Sequence, residues 1–138
     1  MILFLFGLIT GFVMTNFRNP RMGLAAHLEG VMNGMFLVIA GLIWEELNLS
    51  GRLKNITWGC LVYGGIVNWL VTLLAACFGT SKMTPLAGRG FSGSPMQEQV
   101  ITIGFASVGM TMVFSLLVII YGLKGRYSKG DVQSQAQK

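Results

Sequence analysis

The stretch from Ile56 to Thr80, ITWGCLVYGGIVNWLVTLLAACFGT, carries no charged residue, and its reading decides the fold. About 20 such residues wind into a helix that crosses roughly 30 Å of hydrocarbon. Backbone groups in lipid must bond within their own structure, and the stretch lacks the period-two alternation of a barrel strand, so a helix is expected. Three more stretches behave alike: Met1 to Phe17, Gln99 to Leu123, and Met22 to Trp44, the last broken only by His27 and Glu29.

A chain of 138 residues that is 53% hydrophobic and 11% charged has too little polar surface to coat a soluble globule. The expected fold is all-α: an integral membrane bundle of four transmembrane helices at about 1–17, 22–48, 56–78 and 99–123. They make one domain over 1–124, and the polar tail 125–138 is expected to be disordered. The first stretch is read as a membrane helix and not a cleaved leader, because no Lys or Arg precedes it and no small-x-small site follows it.

The net charge of +5 sits just outside the apolar stretches, at Arg18, Arg21, Arg52, Lys54, Lys82, Arg89, Lys124, Arg126 and Lys129. Cations so placed anchor helix ends at lipid headgroups, so the bilayer and not nucleic acid is the partner they imply. The second loop and the tail hold slightly more of them than the first and third loops, which favours both termini in the cytoplasm. Cys60 and Cys77 share one helix about 25 Å apart, too far to bridge within the chain.

Arg18-Asn19-Pro20-Arg21 and Leu49-Ser50-Gly51-Arg52 are short connections, so the first three helices run up, down and up. The third connection, Gly79 to about Gln99, is long and rich in Gly, Ser and Pro. Its Phe91 and Met96 could cover a pocket mouth, or the segment could be a loose surface connection. Small residues form stripes on three helices: Gly23, His27, Gly30, Gly34 and Gly41; Gly65, Asn68, Thr72, Ala76 and Gly79; Gly104, Ser107, Thr111 and Ser115. Four helices with this many close-approach faces imply a homo-oligomer.

An ionisable side chain inside a membrane helix is a functional candidate by default, which singles out His27. Two readings stand together. The imidazole bonds a backbone carbonyl across a helix interface, or it ligates haem iron in a slot cleared by Gly23, Gly30 and Gly34. Glu29 lies on another side of the same helix, and pairing with Arg21 or a neighbouring arginine is its expected role. Asn68, in mid-helix, and Asn33 each need a partner or a substrate. With one His and two distant Cys, the metal options reduce to haem or none.

The stretch Asn19-Pro20-Arg21-Met22-Gly23-Leu24-Ala25-Ala26-His27-Leu28-Glu29-Gly30-Val31-Met32-Asn33-Gly34 resembles the signature of bacterial hydroxylaminobenzene mutases. Its Ala-His core, with Asn six residues after the His and then Gly, is also similar to styrene oxide isomerase. The likeness extends to Asn68-Trp69 and to Phe78 through Pro85. It implies a small isomerase of the bacterial inner membrane, trimeric in the styrene oxide branch, with haem b held at a subunit boundary by the equivalent of His27. By that resemblance His27 is the metal ligand and Asn33 and Asn68 match asparagines near haem and substrate; with Thr72 they make the candidate catalytic set, while Gly30 and Gly34, which clear the space beside His27, join it in the candidate cofactor site. Thr72 stands where the styrene oxide branch has a tyrosine, and Gly64 where it has an aspartate. The implied reaction turns an N-arylhydroxylamine such as hydroxylaminobenzene into 2-aminophenol. Alternatives are an epoxide isomerase, a small proton-coupled transporter using Glu29, and a non-enzymatic haem subunit.

Overall fold

In a computed structural model the described residues, 1–136, form four α-helices and no strand. They are α1 (Ile2–Val13), α2 (Pro20–Leu42), α3 (Gly51–Phe78) and α4 (Pro95–Ala136), with the side chains of α4 described to Lys124. Of the tail expected to be disordered over 125–138, the backbone to Ala136 continues α4, and 137–138 lie outside the described residues. Pro20–Leu42, Gly51–Phe78 and Pro95–Lys124 are long and apolar enough to cross a membrane, while the first segment is a shorter apolar helix that tightens at Met14–Asn16. Charged residues at the ends are helical too, so α3 starts before the apolar stretch that announces it.

The turns explain where the helices stop. Asn19 caps α2, its side-chain oxygen accepting from the amides of Arg21 and Met22, and Pro20 fills the first helical position, where no amide is needed. The same residue is fully buried, because its backbone amide also donates to Ala76 O at 3.0 Å and its Nδ2 to Ala87 O at 3.0 Å. Helix α3 ends at Gly79, whose φ of 68° a residue with a side chain rarely adopts. Arg18 then donates to the free Phe78 carbonyl at 2.8 Å, a cation at a helix C-terminus. Ser94 and Gln97 satisfy each other's amides around Pro95 and start α4 as a capping box.

The helices pack in chain order, α1 on α2, α2 on α3 and α3 on α4, with α1 only grazing α3. The result is an antiparallel row. One apolar cluster, Met22, Val71, Ala75, Ala76 and Ile101, sits beneath the long third connection; the other, Ala40, Leu47, Leu61 and Ile119, lies at the opposite end. The third connection is tied down. Glu98 of α4 accepts from the amides of Ser81, Lys82 and Gly93, and the Arg21 side chain lies over the Phe91 ring and bonds the Arg89 carbonyl. Phe91 thus covers the first turn, whereas Met96 points outward.

Candidate active site on the second helix

Helix α2 carries two groups of interest, and they face different ways. His27 and Glu29 are two residues apart, which separates their directions by about 200° around the axis. The exposed apolar stripe of Leu24, Leu28, Met32, Met35 and Ile39 runs between them.

His27 faces α1. Its Nδ1 lies 2.8 Å from the Gly7 carbonyl, and a carbonyl only accepts, so Nδ1 carries a proton and Nε2 is the ring nitrogen left over for another partner. Gly11 makes the space for the ring: a Cβ there would come within 2.7 Å of Nδ1. Beside the imidazole lies an open groove of about 360 Å³ walled by Leu8, Phe12, Met14 and Leu24. Both readings of His27 therefore meet at one residue, since the cross-helix bond to a carbonyl is also what fixes the tautomer of a metal-ligating histidine. No three His, Cys, Asp or Glu side chains among the described residues cluster as a bare ion would need. Such a donor set, one imidazole with a free Nε2 at an apolar groove, fits a metal that brings its own macrocycle.

The glycines beside His27 clear space for a different occupant from the one expected. A Cβ on Gly30 would meet Gly7 Cα at 2.5 Å, and one on Gly34 would meet Phe4 Cα at 2.6 Å, so helix α1 fills the gap. Gly23 lies against the Met14 carbonyl in the same way. In this structure α1 therefore occupies the face that Gly30 and Gly34 clear. The matching signal was in the sequence, at Gly7 and Gly11 of the first helix.

Glu29 faces α3. Its Oε2 accepts from Asn33 Nδ2 at 3.2 Å, one turn along α2, and from Asn68 Nδ2 across the seam. Asn33, 9% exposed, also lies 3.5 Å from the Gly65 carbonyl. The expected pairing of Glu29 with Arg21 is not what forms, because Arg21 is drawn to the Arg89 carbonyl at the membrane edge. Three polar groups in otherwise apolar helices satisfy one another instead, as burial demands. Thr72, grouped by sequence with the two asparagines, is buried and donates to the Asn68 carbonyl of its own helix at 2.8 Å.

Gly34 and Trp69, each one residue beyond an asparagine of the cluster, line an apolar cavity of about 710 Å³ together with Phe6, Leu37, Ile66 and Leu70. That volume suits a small aromatic molecule. Trp69 stacks on Phe6 with centroids 5.5 Å apart and donates to Thr10 Oγ1 at 3.2 Å, so the cavity wall is held from both α1 and α3.

A polar cluster and a lone imidazole thus sit in helices apolar enough for a membrane, and the family model named styrene oxide isomerase matches residues 1–124. The chain belongs to that family and is an enzyme of the isomerase class. Among its relatives is hydroxylaminobenzene mutase HabB of Ectopseudomonas oleovorans, 39% identical over 135 residues, 97% of this chain and 82% of that protein. Hydroxylaminobenzene mutase HabA of the same organism is 38% identical over 124 residues, 89% of this chain and 92% of that one. The resemblance carried by Asn19 to Gly34 is thereby borne out. No solved structure matches the chain.

Proposed function

We propose that this enzyme is an arylhydroxylamine mutase, converting hydroxylaminobenzene or a close analogue to the 2-aminophenol. The observation that carries the reading is the cluster of Glu29, Asn33 and Asn68, whose neighbours Gly34 and Trp69 wall an apolar cavity, in a chain similar over most of its length to proteins named hydroxylaminobenzene mutases. The reaction breaks the N–O bond and forms a C–O bond at the ortho carbon; that carbon loses a proton and the nitrogen gains one. Atoms and electrons balance without any oxidant or reductant.

The asparagine amides orient the N–OH group by hydrogen bonds, and the apolar walls take the aryl ring and keep bulk water away. His27 is the residue that would hold haem b, through Nε2, with Nδ1 fixed by Gly7. Bound there, haem would supply a Lewis-acidic iron that favours departure of the hydroxyl oxygen. Because His27 and Glu29 look to opposite sides of the exposed α2 stripe, a site using both is completed by a second copy, in keeping with a homotrimer. We place the protein in the bacterial inner membrane with both termini in the cytoplasm, where an apolar substrate concentrates by partition.

Membranes containing the enzyme should form 2-aminophenol from hydroxylaminobenzene without added reductant, oxidant or nicotinamide. Efficient isomerisation of styrene oxide with the hydroxylamine untouched would make it an epoxide isomerase instead. Purified enzyme should show an intense Soret band that His27→Ala removes; a colourless, active wild type would end the haem assignment while leaving the mutase reading intact.

A further inference from the structure

Glu29 is the one acidic side chain in the middle of α2, and the reaction as written gives it no task. Its partners are amides and not a cation. A single oxygen, Oε2, accepts from the Nδ2 of both Asn33 and Asn68, so both amides turn their N–H groups toward Glu29. An amide has only two kinds of hydrogen-bonding group, and committing one side decides which the other presents. Asn33 is the more constrained: its two N–H groups are directed at Glu29 and at Gly65 O, so its Oδ1 is what remains. Asn68 keeps Oδ1 and one N–H. The cluster thus offers mainly acceptors.

Hydroxylaminobenzene brings an N–H and an O–H to such a surface, whereas an epoxide brings only an acceptor oxygen. A site whose buried polar atoms are left unpaired by a ligand rejects it strongly, while a purely apolar pocket discriminates little between molecules of one size. We infer that Glu29 is a positioning residue: by holding both asparagine amides it makes the site select aryl ligands that donate hydrogen bonds over acceptor-only ligands of the same size. The inference rests on the mutase reading for the identity of the substrate, but its test does not need turnover.

The probes are 1-phenylethanol, which carries an O–H, and acetophenone, the same skeleton with an acceptor oxygen only. Binding of each to the detergent-purified full chain is measured by equilibrium titration, and as inhibition of hydroxylaminobenzene turnover where turnover is present. Wild type should bind the alcohol more tightly than the ketone, on the order of tenfold, the worth of one good hydrogen bond. In Glu29→Met the preference should shrink toward parity or reverse, because no acceptor then holds the two amide N–H groups and each asparagine is free to turn. A residue needed only for packing would weaken both probes together, and an unchanged ratio in the folded variant overturns the inference. Should Glu29→Met fail to fold, wild type alone decides: equal affinity for the two probes refutes selection by acceptors. A wild type that prefers the alcohol yet leaves hydroxylaminobenzene unconverted would defeat the proposed reaction and keep the role of Glu29.

Discussion

The seam between α1 and α2 and the seam between α2 and α3 share a helix but are held by opposite means. In the first, Gly7, Gly30 and Gly34 bring backbone against backbone with no room for a side chain. In the second, Gly65 faces Leu37 and Asn33 at ordinary contact distance, and Glu29, Asn33 and Asn68 supply hydrogen bonds. Close approach in lipid gains dispersion and little else, so the first seam determines whether the chain assembles. The second gathers three mutually bonded polar groups in an otherwise apolar seam, and under the proposed function it is the seam that meets the substrate.

The sharpest way to break this division is Gly30→Leu. Backbone cannot swing aside from the new side chain, so α1 should leave its place, at a cost above the usual 1–3 kcal/mol or so of overpacking. Size-exclusion chromatography and thermal melts in detergent should show loss of the folded species. A variant melting like wild type would mean that α1 is not docked there. Asn68→Ala probes the other seam: kcat/KM for hydroxylaminobenzene should fall roughly 5-fold to 150-fold, equivalent to about 1–3 kcal/mol, with the melting profile and any haem spectrum nearly unchanged. Undiminished turnover would remove Asn68 from the site.

Trp69 touches both seams and should give an intermediate result. Trp69→Phe keeps a ring against Phe6 but loses the bond to Thr10, which should lower stability by about 1 kcal/mol in a chemical-denaturation or thermal assay. The smallest effect belongs to Gly109, around which an added Cβ meets nothing within 4 Å. Gly109→Ala should be neutral or stabilising by up to about 1 kcal/mol, since alanine is the better helix former. A large loss there would reveal a close contact on the outer face of α4.

Much of the architecture is legible in the sequence because lipid imposes few solutions: uncharged stretches of the right length, Asn19-Pro20 at a helix start and Gly79 at a helix end lead directly to the observed elements. The small-residue stripe on α2 is legible as a close-approach face too. Its partner is not, because spacing reveals which face needs a neighbour and not which neighbour arrives; α1, with its own Gly7 and Gly11, arrives first. Glu29 shows the same limit in polar form. Opposite charge suggests arginine, yet depth governs the outcome, and the groups at the depth of Glu29 are the amides of Asn33 and Asn68. His27 was visible as the residue to watch, but the commitment of its Nδ1 to Gly7 needed coordinates.

Packing in chain order has a consequence for how the protein is made. Each helix finds its partner in the one synthesised just before it, so it can dock as it leaves the insertion machinery and no span has to wait exposed for a distant mate. The carboxylate of α2 likewise has one partner inside its own helix, since Asn33, a single turn on, donates to Glu29 and needs no later helix to do so. The stepwise biogenesis of the molecule is thus written into the order of its contacts.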